Sequence, residues 1–219
     1  MPVRAFLFDF DGLILDTEVP SRAGWQWLYR EHGHELPPEK WALVVGTIEA
    51  WDPMAHLEQL VGGPLDREVL NERRYAHELS LIEAETLRPG VAEYLAAARQ
   101  HGLKRAIVSS SSVRWIDLHL RRLEETVGWD LILAADHDPA RAKPAPTLYL
   151  EALDRLGVAA GEAVAFEDSP NGIRAAKAAG IFCVGVPNGV TRELGLDEAD
   201  LVLDSLADLP PDELLARLS

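Results

Sequence analysis

The first apolar run of the chain ends in two aspartates one residue apart, Phe8-Asp9-Phe10-Asp11-Gly12. Side chains two apart on an extended chain share a face, so Asp9 and Asp11 converge, and Gly12 lets the backbone turn away without a Cβ clash. Carboxylates held together repel and raise each other's pKa. The plain alternative is a strand that ends in solvated acids before a turn; otherwise the pairing is a cost unless a cation or a reaction uses it.

Further polar groups follow other apolar runs. Val108 leads into Ser109, Ser110, Ser111 and Ser112, with Ser112 suited to cap the helix that begins near Val113. Lys143 precedes Pro144, which can open a helix carrying Tyr149, Leu150 and Leu153. Phe166 leads into Glu167 and Asp168, with Pro170 as the expected first residue of the next helix. Serines also cap helices, a lone lysine is a surface residue, and acids at a helix start can complement its dipole. Gathered at one sheet edge, however, Asp9, Asp11, Ser109, Lys143, Glu167 and Asp168 offer hard oxygen ligands beside a hydroxyl and an ammonium. That set suits a phosphate group with Mg2+ joining it to the carboxylates.

The elements that must bring them together are legible as a pattern. Short apolar runs (Ala5 to Phe8, Ala106 to Val108, Leu131 to Leu133, Val164 to Phe166, Phe182 to Val184) read as strands of a sheet covered on both faces. Helix-period segments ending at Gly102, Gly157 and Gly180 alternate with them. The expected fold is α/β, a doubly wound, Rossmann-like parallel sheet. Residues 15–87 hold no convincing strand. There Ser21 can cap a helix running to His32, Pro38 can open one reaching Val45, and Leu65 to Leu81 has a long amphipathic pattern. The expected division is a core domain of residues 1–14 and 88–219, with an all-helical cap of residues 15–87 over the strand ends where such sheets bind ligands.

Thirty-six acidic against 21 basic side chains give a net charge of -15. Such a surface repels nucleic acid and anionic membrane. The single cysteine, Cys183, lies in an apolar run and reads as core packing. A reducing, cytoplasmic setting fits, as no signal-peptide layout is visible. The expected partner is a small phosphorylated metabolite, the chain itself being a monomer or weak dimer. Seven scattered histidines give no zinc pattern, and Trp25, Trp27 and Trp41 read as cap-helix packing.

In order, Asp9-x-Asp11, a strand-end Ser109, Lys143-Pro144 and Glu167-Asp168-Ser169 resemble the haloacid dehalogenase superfamily over essentially the whole chain, specifically phosphatases with a helical cap. The segment from Asp11 to Glu18, Lys143-Pro144-Ala145-Pro146 and the run from Glu167 to Gly172 look most like its beta-phosphoglucomutase-like branch. The resemblance implies Asp9 as nucleophile, Asp11 as general acid and then base, and Ser109, Ser110 and Lys143 as phosphate holders. It implies Mg2+ bound by Asp9, the main-chain carbonyl of Asp11, and Asp168, with Glu167 a ligand or just behind one. Thr17 and Glu18 would form the cap hinge and floor. Glu18, Arg22 and Glu49 are the cap residues expected to face substrate. Four functions compete: a phosphomonoesterase, a phosphosugar mutase, a dehalogenase and a catalytically dead binding module. Glu49, where mutase relatives carry an arginine, disfavours the mutase; Asp11 disfavours the dehalogenase; the complete acid set disfavours the dead module.

Overall fold

The computed structural model describes residues 2–41, 51–124 and 128–218. Strands β1 (Ala5–Phe8), β2 (Lys104–Ser109), β3 (Leu131–Ala134), β4 (Ala163–Glu167), β5 (Phe182–Gly185) and β6 (Leu201–Val202) form one parallel sheet in the order β3-β2-β1-β4-β5-β6. The chain lays down β1 to β3 outward in one direction and then β4 to β6 in the other, so the winding reverses beside β1. In register, Phe8 pairs with Ile107 of β2 and with Phe166 of β4. Everything that follows these residues therefore emerges at one level.

Both faces are covered, which is why the strands are apolar apart from Lys104 and Arg105 at the start of β2 and Ser109 and Glu167 at the strand ends. Helices α7 (Thr147–Leu156) and α8 (Pro170–Ala178) bury Leu148, Ala152, Ile173 and Ala176 on one face. Helices α5 (Val91–Gln100), α6 (Val113–Arg122) and α9 (Pro211–Arg217) cover the other with Tyr94, Ile116, Leu120 and Leu214, around Phe6, Phe8 and Phe166. Cys183 is buried in the first of these layers, as core packing requires.

Between β1 and α5 lie α1 (Glu18–Glu31), α2 (Pro38–Trp41), α3 (Pro53–Val61) and α4 (Arg67–Ile82). They share a small core of Leu28, Tyr29, Leu36, Trp41, Met54, Leu57 and Leu70. The chain leaves and returns at one point, since Leu15 and Leu87 form an antiparallel bridge.

Local expectations differ from the structure in three places. Helix α1 starts at Glu18 rather than after Ser21, because the Asp16 carboxylate accepts from the Val19 N–H (3.2 Å) and Pro20, which needs no amide partner, fits the first turn. Ser21 sits inside the helix, its N–H on the Thr17 carbonyl. Helix α7 starts at Thr147 rather than at Pro144: Pro146 disfavours the helical conformation for the residue before it. Strand β6, two residues long, is too short to leave a pattern. The expected extension of the Pro38 helix to Val45 lies outside the described residues.

Arg88 fastens this junction. Its N–H donates to the Ile14 carbonyl (2.9 Å), and its guanidinium donates to the carbonyls of Gly12, Val186 (3.2 Å) and Pro187 (2.8 Å). Arg88→Met should strip three carbonyls of a charged donor and cost about 2–3 kcal/mol. Urea unfolding checks this; a midpoint that does not move would show that water replaces the guanidinium freely.

Candidate active site

The acids lie where the sheet register puts them. Asp9 follows β1 and is almost buried, its N–H donating to the Phe166 carbonyl at 3.0 Å. Gly12 turns the chain away at φ 77°, and a Cβ there would sit 2.2 Å from an oxygen of Asp168. Glu167 ends β4, and Asp168 follows in the turn that Ser169 closes by accepting the Gly172 N–H (3.2 Å). Lys143 reaches under them from the turn before α7, its Nζ 2.6 Å from Asp9 Oδ1 and 2.6 Å from Glu167 Oε1.

One ammonium does not neutralise this group. Burial raises the Asp9 carboxyl, against the pull of Lys143. It raises Glu167 to about 7, with Lys143 opposing and Asp9 adding. Asp168 is raised well above the usual range by burial and then by Asp9, Glu18 and Glu167. Burial alone would lower the Lys143 ammonium, but Asp9 and Glu167 hold it above its ordinary value. Tyr149 donates its hydroxyl to Glu167 Oε1, and Asn188 Nδ2 donates to Asp168 Oδ2 at 2.6 Å.

The residues fit a hard divalent cation. Oxygens of Asp9, Glu167 and Asp168 lie within 4.8 Å of one another, all three residues are buried, and Glu167 Oε2 has no hydrogen-bond partner. The helix that follows makes room for Glu167 at Gly172, where a Cβ would lie 1.8 Å from Oε2. The Asp11 side chain is not in this group, which leaves its main-chain carbonyl as the atom it could offer.

Asp11 is instead held by donors from four directions. Thr17 Oγ1 (2.9 Å) and the Trp115 indole N–H (2.7 Å) donate to Oδ1; Ser111 and, at a long 3.4 Å, Ser109 donate to Oδ2. Ser110 Oγ accepts the Lys143 N–H at 3.1 Å.

A cleft of about 340 Å3 opens above. Asp9, Asp11, Ser109, Ser110, Ser111 and Lys143 form its floor. Glu18, Ser21, Trp25, Arg74, Tyr75 and Glu78 form the opposite wall, with Trp115 and Thr17 between. Burial, then Asp11 and Asp9, push Glu18 up to about 8. Arg22 is not among the residues lining the cleft, and the arginine that lines it among the described residues is Arg74. Glu49 lies outside the described residues. Trp25 does pack on the cap core, as expected, but it also faces the cleft.

Sequence reasoning missed Trp115, Tyr149 and Asn188 as partners of the acids, and Arg74, Tyr75 and Glu78 in the wall. Only the spacing of Arg74 and Glu78, four apart on a helix, carried a signal.

The haloacid dehalogenase-like hydrolase family profile matches residues 3–180. YhcW of Bacillus subtilis (strain 168), whose phosphatase name is provisional, is 42% identical over 217 residues, covering 99% of this chain and 98% of that protein. Hexitol phosphatase B of Escherichia coli (strain K12) is 31% identical, covering 97% of each chain. The crystal structure of CbbY from Rhodobacter sphaeroides with phosphate superposes with a TM-score of 0.75 at 31% identity, over 94% of this chain and 96% of that one; a variant of CbbY has been solved with xylulose 1,5-bisphosphate. With the parallel sheet, the order of the acids along it and a profile match across most of its length, this chain belongs to the haloacid dehalogenase-like hydrolases.

Proposed function

We propose that this enzyme, a phosphoric monoester hydrolase, is a Mg2+-dependent phosphatase of small metabolites, sugar phosphates or nucleoside monophosphates, acting through an aspartyl-phosphate on Asp9. The observation that carries the reading is the floor of the cleft, which Asp9, paired with Lys143, shares with Asp11 and the serine turn. Hexitol phosphatase B supports the sugar-phosphate class, whereas the CbbY variant holds a bisphosphate, so the relatives leave the second anion open. The chemistry and the absence, among the described residues, of any helix long and apolar enough to cross a membrane are compatible with work in the cytoplasm.

In the first step an Asp9 carboxylate oxygen attacks phosphorus and the bond to the ester oxygen breaks. Asp11 gives that oxygen its proton, so the alcohol leaves neutral. In the second, Asp11 takes a proton from water, the water oxygen attacks phosphorus, and the bond to Asp9 breaks to release inorganic phosphate. Lys143 and the hydroxyls of Ser109 and Ser110 hold the phosphoryl oxygens, and Ser111, Thr17 and Trp115 hold Asp11 beside the leaving oxygen. Asp9, Asp168, Glu167 and the Asp11 carbonyl would hold Mg2+, which when bound offsets the negative charge that otherwise keeps a carboxylate from approaching a phosphate.

Chelator should abolish hydrolysis of p-nitrophenyl phosphate, and Asp9→Asn should lower kcat by at least about a thousandfold. Activity that survives chelation would end this reading. Asp11→Asn should cost alkyl phosphates about 10² to 10⁴ in kcat while sparing aryl phosphates, whose leaving groups need little proton assistance; equal losses would make Asp11 merely structural. Gly172→Ala should force Glu167 aside and raise the Mg2+ concentration for half-maximal activity about 10- to 100-fold. An unaltered Mg2+ titration in a folded variant would show that Glu167 takes no part in holding the ion.

A further inference from the structure

Among the described residues, the wall facing the catalytic floor contains one cation, and it is already paired. Arg74 and Glu78, one turn apart on α4, form an ion pair with side chains only 14% and 9% exposed. The Arg74 guanidinium lies over the Trp25 ring, 4.7 Å from its centroid, and Ser21 lines the same wall. The other cation lining the cleft, Lys143, is matched by Asp9 and Glu167. Residues 42–50, wherever they lie, contain no lysine, arginine or histidine. Glu18, on the same wall, can add a negative charge or stay neutral, and never supplies a positive one.

We infer that the Arg74–Glu78 pair is a specificity determinant that excludes substrates with a second anion and selects phosphate esters whose far end is neutral and hydroxyl-bearing. The inference rests on the phosphatase reading and narrows its substrate class. A second phosphate or a carboxylate reaching this wall would be an anion taken from water with no unpaired cation among the described lining residues to meet it, beside Glu78 and Glu18. A polyol or sugar ring meets what the wall does offer: the aromatic surfaces of Trp25, Tyr75 and Trp115 and the Ser21 hydroxyl. A mutase, which must grip a second phosphate, would need the cation that Glu78 occupies.

The test compares kcat/KM for fructose 1,6-bisphosphate and fructose 6-phosphate, with Mg2+ present, in the native protein and in Glu78→Gln. The native bisphosphate-to-monophosphate ratio should be below one-tenth. Glu78→Gln, which frees Arg74, should raise it at least tenfold, mostly through a lower KM for the bisphosphate, as expected of binding shared by ground and transition states. Adding Arg74→Gln should remove the gain. A native ratio of one or more, or a ratio that does not move in Glu78→Gln, overturns the inference. If Glu78→Gln does not fold, inhibition of native p-nitrophenyl phosphate hydrolysis decides, and tighter inhibition by the bisphosphate than by the monophosphate overturns it. Native protein with no Mg2+-dependent hydrolysis of p-nitrophenyl phosphate would instead strike the phosphatase reading beneath it.

Discussion

Lys143 holds its ammonium 2.6 Å from two carboxylates, in a place where none of the three side chains is more than 8% exposed. Buried charge is tolerated only when paired and hydrogen-bonded, and here Asp168 and Asp11 crowd the same space. Much of the surrounding architecture can be understood as supplying what one ammonium cannot. Tyr149 comes from α7, Asn188 from the turn after β5, Trp115 from α6, and Thr17 from the residue before α1. These donors reach the acids because β1, β2 and β4 end in register, so the loops beyond them rise together. Among the described residues Glu167 Oε2 is the one fully buried carboxylate oxygen without a donor, and it belongs to the group best suited to a divalent ion.

Above that floor the electrostatics change character. The lower half of the cleft carries surplus negative charge that a cation would complete, whereas Arg74 and Glu78 in the wall complete each other. On the proposed function, recognition of the transferred group and discrimination among its bearers fall on different elements: the ends of strands in one case, two packed helices, α1 and α4, in the other.

The same split explains how much could be read without coordinates. Asp9, Asp11, Glu167 and Asp168 were legible because they end apolar runs, and in a parallel sheet the end of a run is a position in space. Lys143, by default a surface residue, was legible only through the gathering at the sheet edge and the Lys143-Pro144 motif of the family resemblance. The strand and helix alternation likewise follows from burial on both faces, which leaves a pattern in each strand. Trp115, Tyr149 and Asn188 were not legible, since each looks like ordinary helix or loop composition and meets an acid 104, 18 or 20 residues away. Arg22 and Arg74 show the limit on the helices: both are arginines on amphipathic segments, and only the rotation of α1 and α4 against each other decides which faces the cleft. Ser21 misled because the capping role had passed to Asp16, whose neighbour Thr17 spends its hydroxyl on Asp11.

The bridge between Leu15 and Leu87 has a consequence for how such a chain can change over time. A segment whose two ends are already adjacent adds little to the cost of closing the chain, and that cost grows only with the logarithm of its length. Helices between those points can be lengthened, exchanged or rotated without shifting the register of any strand. The wall can therefore be remade while the floor keeps its register.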